Sequence, residues 1–302
     1  MTTHLDDPRT KVEIVLDSIS PDNYRITTFQ LFMPRYLLAE LNTHRMVSKS
    51  AASSRAIPVK KRLQLVEQDP YMPIEFCQNK PGMQAGEALV DKDQARAQKI
   101  WRKAAQAMAR YAGELDQLGV HKQYANRLLE AFVYVPVVFT ATEFDNFFKL
   151  RNSSEADPGF EILAKKMHRA YGLSIPKQLD FGKWHAPYLT DADDDLDVTS
   201  MLKISAARCA RVSYLTHDGR KPPAPDDLAL ANDKLIASGH MSPFDHQALP
   251  ANEDDYDSLL DLERAMRQFV GWVPFRTQLE DALGMKCRRF YKGVQKDAEA
   301  LR

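Results

Sequence analysis

The chain has 302 residues and carries 41 Lys and Arg against 41 Asp and Glu, a balance that excludes the basic surface demanded by nucleic acids and anionic membranes. It has no run of 18 apolar residues, and its opening MTTHLDDPRTK is too polar for a signal peptide, so the protein is expected in the cytoplasm with no membrane partner. Three widely spaced cysteines, Cys77, Cys209 and Cys287, read as free thiols of a reducing compartment.

In chain order, VEIVLDSIS from Val12 and YRITTFQLFM from Tyr24 alternate and are rich in β-branched residues, which predicts a hairpin turning at Pro21-Asp22-Asn23. PRYLLAELNTHR has helical spacing and a proline at its first turn, so Glu40 and His44 are expected on one helix face at i and i+4. Ala85 to Leu118 is alanine-rich, charged and free of proline, which predicts one long structural helix. Lys122 to Phe132, Glu143 to Arg151 and Phe160 to Tyr171 predict further helices. DADDDLDVTS, Asp191 to Ser200, predicts an acidic connector to the last segment, residues 201–302. No internal repeat is visible.

The stretch THRMVSKSAASSR, Thr43 to Arg55, places His44, Arg45 and Arg55 among Ser48, Ser50, Ser53 and Ser54. Two planar guanidinium forks with short hydroxyl donors suit a phosphate; a polar helix end and loop would have the same composition. The pattern resembles the signature of the flavin-dependent thymidylate synthases, Arg-His-Arg, two residues, Ser, one residue, Asn-Glu, one residue, Ser, one residue, Arg. His44, Arg45, Ser48, Ser53 and Arg55 fall on its positions. Thr43 stands where the family has its first arginine, and Ser50-Ala51 where it has Asn-Glu.

Two further blocks resemble the same family. In Ala125 to Ile162, residues Arg127, Asn146, Phe147, Leu150, Arg151, Glu161 and Ile162 match, with about two extra residues around Asp157 to Gly159. ISAARCARVSY (Ile204 to Tyr214) and SGHMSPFDH (Ser238 to His246) resemble the family's opening Ala-Ala-Arg-x-Ser and Gly-His-x-Ser/Thr-Pro-Phe-Glu-His. Here they come last, so the chain reads as one permuted or rearranged domain over residues 1–302.

The resemblance implies an α/β (α+β) fold, helix-rich around an antiparallel sheet. It implies reductive methylation of dUMP at C5, with methylenetetrahydrofolate as carbon donor, FAD as hydride carrier and NADPH as reductant. It also implies a homotetramer whose flavin sites draw on more than one subunit. Carried over by position, Arg151 is the pyrimidine-activating arginine and Ser53 joins it in the catalytic set. Glu40, Ser53, Arg55, Arg127 and Arg151 hold the nucleotide; His44, Arg45, Asn146, Ser242 and Asp245 hold FAD. Asn146 and Arg151, five residues apart, are expected about 140° from each other around a helix axis. The departures at Thr43 and Ser50-Ala51 keep two other readings open: a relative acting on another pyrimidine nucleotide such as dCMP or transferring a hydroxymethyl group, and a non-catalytic flavin or nucleotide sensor. Trp272 and Arg276 are candidates for the missing contacts.

Three other features read more plainly. His240, Asp245 and His246 follow Ser-Pro at a loop-to-helix start and lack a second ligand cluster, so they read as a helix cap and no metal is expected. Cys209, among alanines, reads as a buried thiol rather than a nucleophile. KCRRFYKG, Lys286 to Gly293, reads as a solvated tail or as the source of a phosphate-binding arginine.

Overall fold

The computed structural model describes residues 6–212 and 222–285; KCRRFYKG, Ser213 and Tyr214 lie outside them. The predicted hairpin is β1 (Lys11–Ile19) and β2 (Arg25–Pro34), antiparallel, with a bulge between Ile14 and Leu16. With β3 (Val47–Ala51), β4 (Tyr134–Ala141) and β5 (Lys177–Gln178) it forms a sheet of order β3-β4-β2-β1-β5. All pairings are antiparallel except β1 with β5. This is the helix-rich, mostly antiparallel α/β architecture that the sequence predicts.

Because side chains alternate across a strand, the two faces differ in chemistry. One carries Phe29, Leu31, Met33, Val135, Val137 and Phe139, which bury against Phe147, Phe148, Phe160 and Leu163. The other presents Thr28, Thr140, Ser48 and Ser50, all buried. Ser48 accepts from the Gln268 amide, and the other three avoid the cost of dry burial by bonding to one another and to two histidines brought over them by the C-terminal half. The links run Ser18 to His185 Nδ1 at 2.9 Å, His185 Nε2 to Thr28 at 2.8 Å, and Thr28 to Thr140 at 2.7 Å. They continue from Thr140 to His246 Nδ1 at 2.8 Å and from His246 Nε2 to Ser50 at 2.9 Å.

Several helices differ from their expected bounds. The segment from Pro34 is a 3-10 turn, Arg35–Leu37, followed by α1 (Leu38–Leu41), and it ends before His44. The Lys49 ammonium, reaching back from β3, takes the carbonyls of Leu41 at 3.1 Å and His44 at 2.5 Å, and so turns the chain into the sheet. Thr43 to Arg55 is therefore a turn, an edge strand and a second turn, not a helix end. After α2 (Val59–Gln68), the long helix α3 (Asp91–Gln117) starts later than Ala85 because residues 86–89 pair back onto 76–78. Its alanines, Ala105, Ala109 and Ala112, let it close on Val66, Leu129 and Phe132. Lys122 to Phe132 divides into α4 (Lys122–Ala125) and a 3-10 helix, Asn126–Phe132. Next come α5 (Asp145–Arg151) and α6 (Pro158–Leu173), the latter capped by Asp157 with proline at its first turn.

The acidic stretch is more than a connector. Asp193 is buried and accepts both terminal nitrogens of Arg208, at 2.7 and 2.9 Å, while Asp197 caps α7 (Val198–Arg211). Cys209 lies in α7 with no exposure, and burial pushes its thiol pKa up. Beyond it, α8 (Ala224–Ala229) continues as a π-helix, Leu230–Ile236. A small sheet of β6 (Ala248–Pro250) and β7 (Trp272–Pro274) precedes α10 (Phe275–Ala282), with α9 (Leu259–Met266) between its strands. Trp272 is fully buried and donates to the Tyr24 carbonyl at 3.0 Å, so it belongs to the core. Gly271, at φ +71°, has Tyr24 packed where a Cβ would stand. Among the described residues no helix is long and apolar enough to cross a membrane.

Candidate active site

Arg151, the last residue of α5, points back at the turn that follows α1. Its Nε donates to His44 Nε2 at 3.0 Å and its Nη1 to Glu40 at 2.8 Å. Its guanidinium carbon lies 4.7 Å from the centre of the Phe160 ring, and Phe147 meets the His44 ring edge-on at 5.0 Å. Two polar contacts and an aromatic backing fix the plane of the fork. Burial first, then the charges of Arg151 and Lys49, hold the His44 pKa down to about 4, so the imidazole is neutral and can accept. Glu40 and His44 thus converge although the helix expected to carry both stops at Leu41.

A cleft of about 500 Å³ opens beside this cluster, lined by Thr43, His44, Arg45, Asn146 and Arg151 among others. It reaches both ends of α5, so Asn146 and Arg151 face one space despite their angular separation on the helix. Arg45 and Asn146 are exposed, with no protein hydrogen-bond partner among the described residues. Their donors are available for an anion or a ring carbonyl.

Ser53 and Arg55 lie in the exposed turn after β3. The Arg55 backbone N–H donates to Ser53 Oγ at 3.2 Å. Arg127 is exposed and sits 3.6 Å from Glu130. Three residues that sequence reasoning missed brace this region. Asn126 donates to the carbonyls of Ser54 and Ile57, each at 2.8 Å. Glu130 accepts from Ser54 at 2.6 Å and pairs with Arg35 at 3.0 Å, and Arg35 also donates to the Ala52 carbonyl at 2.9 Å. The Arg127–Glu130 spacing of three was the one signal in the sequence that could have flagged Glu130.

The third block meets the same strand from the other side. Ser242 begins the 3-10 turn Ser242–Asp245 and, with His240, Lys49, Ser50 and Ser53, lines a second cleft of about 320 Å³. Ser242 is exposed, whereas Asp245 is buried and faces inward. It accepts from Arg276 at 3.1 Å through one oxygen, while the other has no partner; burial raises its pKa against the pull of Arg276. Arg276 also binds Glu280 at 2.6 Å. Both ring nitrogens of His246 are taken by hydroxyls, and among the described residues no group of three or more His, Cys, Asp or Glu could hold a metal.

The family described as thymidylate synthase complementing protein matches residues 20–177, more than half of the chain. The chain belongs to this family. The matched span holds the Thr43–Arg55 signature and the Arg127, Asn146 and Arg151 positions; the 204–246 blocks fall outside it. Two solved structures of a UMP/dUMP methylase, PolB from Streptomyces cacaoi, are similar to this family member at low level. The form bound with 5-Br UMP has 17% identity and a TM-score of 0.46 over 56% of this chain and 90% of that one. The form bound with 5-Br dUMP has 15% identity and a TM-score of 0.44 over 56% and 91%. No curated protein matches the chain.

Proposed function

We propose that this protein is a flavin-dependent thymidylate synthase that methylates dUMP at C5, with methylenetetrahydrofolate as carbon donor and NADPH as reductant. The observation that carries the reading is the anchored guanidinium of Arg151, held by His44 and Glu40 at the wall of a cleft that also presents Arg45 and Asn146, exposed and without a hydrogen-bond partner among the described residues. These donors fit FAD: an exposed guanidinium for its diphosphate, and an amide for a polar edge of its ring system. When bound, FAD supplies the hydride that completes the methyl group. Arg151 supplies a fixed positive charge against the pyrimidine as C5 becomes nucleophilic, and Glu40, Ser53, Arg55 and Arg127 hold the nucleotide. Ser53 shares a cleft with Ser242, which favours a flavin path from the His44 cleft along β3 to Ser242.

The groups lie in separate clefts of one chain, which favours a homotetramer that brings them together. The third block reaches β3 although it comes last in the chain, which supports a rearranged segment order. One observation favours the second reading, a relative acting on another pyrimidine. The hydroxyls at the divergent positions are spent on the protein itself: Thr43 donates to the Glu40 carbonyl at 2.7 Å, and Ser50 is bound by His246. Assaying FAD- and NADPH-dependent methyl transfer to dUMP and dCMP side by side tests both. Turnover of dUMP is expected; turnover of dCMP alone shifts the reading to the second, and neither with bound flavin points to a sensor.

A further inference from the structure

A further cleft contains none of these groups. It has a volume of about 730 Å³ and lies where α2 faces the ends of β1, β2 and β4. Its floor is aromatic: Phe32 and Tyr134 stack at 5.3 Å with an interplanar angle of 14°. Its walls carry Arg9, Lys11, Lys61, Arg62 and Arg211, against Asp69 alone among acidic lining residues. Asp69 is already held by Arg9 at 2.9 Å, and Arg211 is paired with Asp227.

Arg62 is the anomaly. It is only 2% exposed, yet among the described residues its Nε and Nη2 have no hydrogen-bond partner. Burial pushes its pKa down to about 10, with Arg35 adding to the effect, so it remains charged at neutral pH. Glu130, whose charge pulls the Arg62 pKa back up, is itself occupied by Arg35, Ser54 and Arg127. A desolvated guanidinium whose nearby carboxylate is shared with three other groups is costly, and an anion held in the cleft would add a second counter-charge.

We propose that this cleft is a second ligand site, which takes an organic anion with a flat apolar body. The anionic head seats against Arg62 and the body lies on the exposed Phe32, which Tyr134 backs by stacking while Arg9 covers the Tyr134 ring at 5.0 Å, a combination of apolar surface and charge common in small-molecule pockets. The site needs neither flavin nor nucleotide.

The test is fluorescence titration of the full chain with 8-anilinonaphthalene-1-sulfonate, with 1-naphthoate, 1-naphthyl phosphate and neutral 1-naphthylmethanol as competitors. Saturable binding of one equivalent is expected, displaced by one or both anions, the better competitor naming the head group. Arg62→Met should weaken binding about tenfold or more. Lys11→Glu, an exposed change at the rim, should weaken it severalfold and keeps the test open if Arg62→Met does not fold. Unchanged affinity in Lys11→Glu and in folded Arg62→Met, or equal displacement by the neutral alcohol, would overturn the proposal. Displacement by dUMP would overturn it too, by making the cleft part of the nucleotide site; failure of methyl transfer leaves it untouched.

Discussion

The Nε of Arg151 donates to Nε2 of His44 at 3.0 Å. An arginine nitrogen can only donate, so Nε2 must be the acceptor and the one ring proton of the neutral imidazole sits on Nδ1. The contact joins the signature stretch to the end of α5 across 107 residues of sequence and orients the fork that Glu40 also grips.

Arg151→Lys keeps the charge and loses the fork. If the fork stabilises charge that develops only as C5 attacks, single-turnover methylation should fall about a hundredfold, roughly 3 kcal/mol of barrier, while nucleotide affinity changes much less. Rapid-quench measurement of product beside equilibrium binding separates the two. A near-normal rate would remove Arg151 from the chemistry.

Arg45 is exposed and makes no side-chain hydrogen bond or ion pair among the described residues, so Arg45→Ala should fold with an unchanged Tm. It should lose a charge-assisted bond to the flavin, a cost of about 1.5 to 3 kcal/mol, and purify pale. Absorbance of the purified variant, followed by FAD titration, checks this; wild-type flavin content in the variant would return Arg45 to an ordinary surface residue.

Alanine at Arg55 or at Arg127 should raise the dUMP dissociation constant about tenfold or more, with flavin content unaffected. Both side chains are exposed, and among the described residues only Arg127 has an ion pair, a loose one to Glu130, so stability should barely change. Calorimetric titration with dUMP provides the check; unaltered affinity in both would mean that neither touches phosphate.

Acid should destabilise the fold through histidine. Burial holds His44 down to about 4 and His185 and His246 down to about 3, all below the ordinary 6.5. The unfolded chain therefore binds more protons as pH falls below 6.5, so stability is fully present above that value and is lost progressively toward pH 4 to 3. Tm should drop by roughly 5 °C or more between pH 7 and pH 4, with the decline already visible between pH 6.5 and 5, above the carboxylate range. A flat profile in that upper interval would contradict the buried hydroxyl–histidine chain.

Much of this was legible in the sequence because it rests on local pattern. Alternation gave the hairpin, and Pro158 after Asp157 marks the start of α6 close to its expected position. What stayed hidden depends on contacts distant in sequence. The helix meant to carry Glu40 and His44 is cut short by Lys49, which a periodicity argument cannot see. The acidic run around Asp193 looks like a linker until Arg208 is folded against it, and Trp272 looks like a site residue until Tyr24 covers it. In the candidate site, His44 and Arg45 were recognisable from spacing within the signature and Arg151 from the second block. Glu130, Asn126 and Arg35 act by bracing the Ala52–Ile57 turn, and their side chains resemble any polar helix surface.

The most direct measurement is anaerobic flavin reoxidation. The protein, loaded with FAD and reduced by NADPH, is mixed with dUMP and methylenetetrahydrofolate together and separately. The account predicts that flavin absorbance returns only when both are present, with one dTMP and one tetrahydrofolate formed per flavin reoxidised. A protein that takes up no flavin, or whose reduced flavin persists with both substrates present, would contradict it.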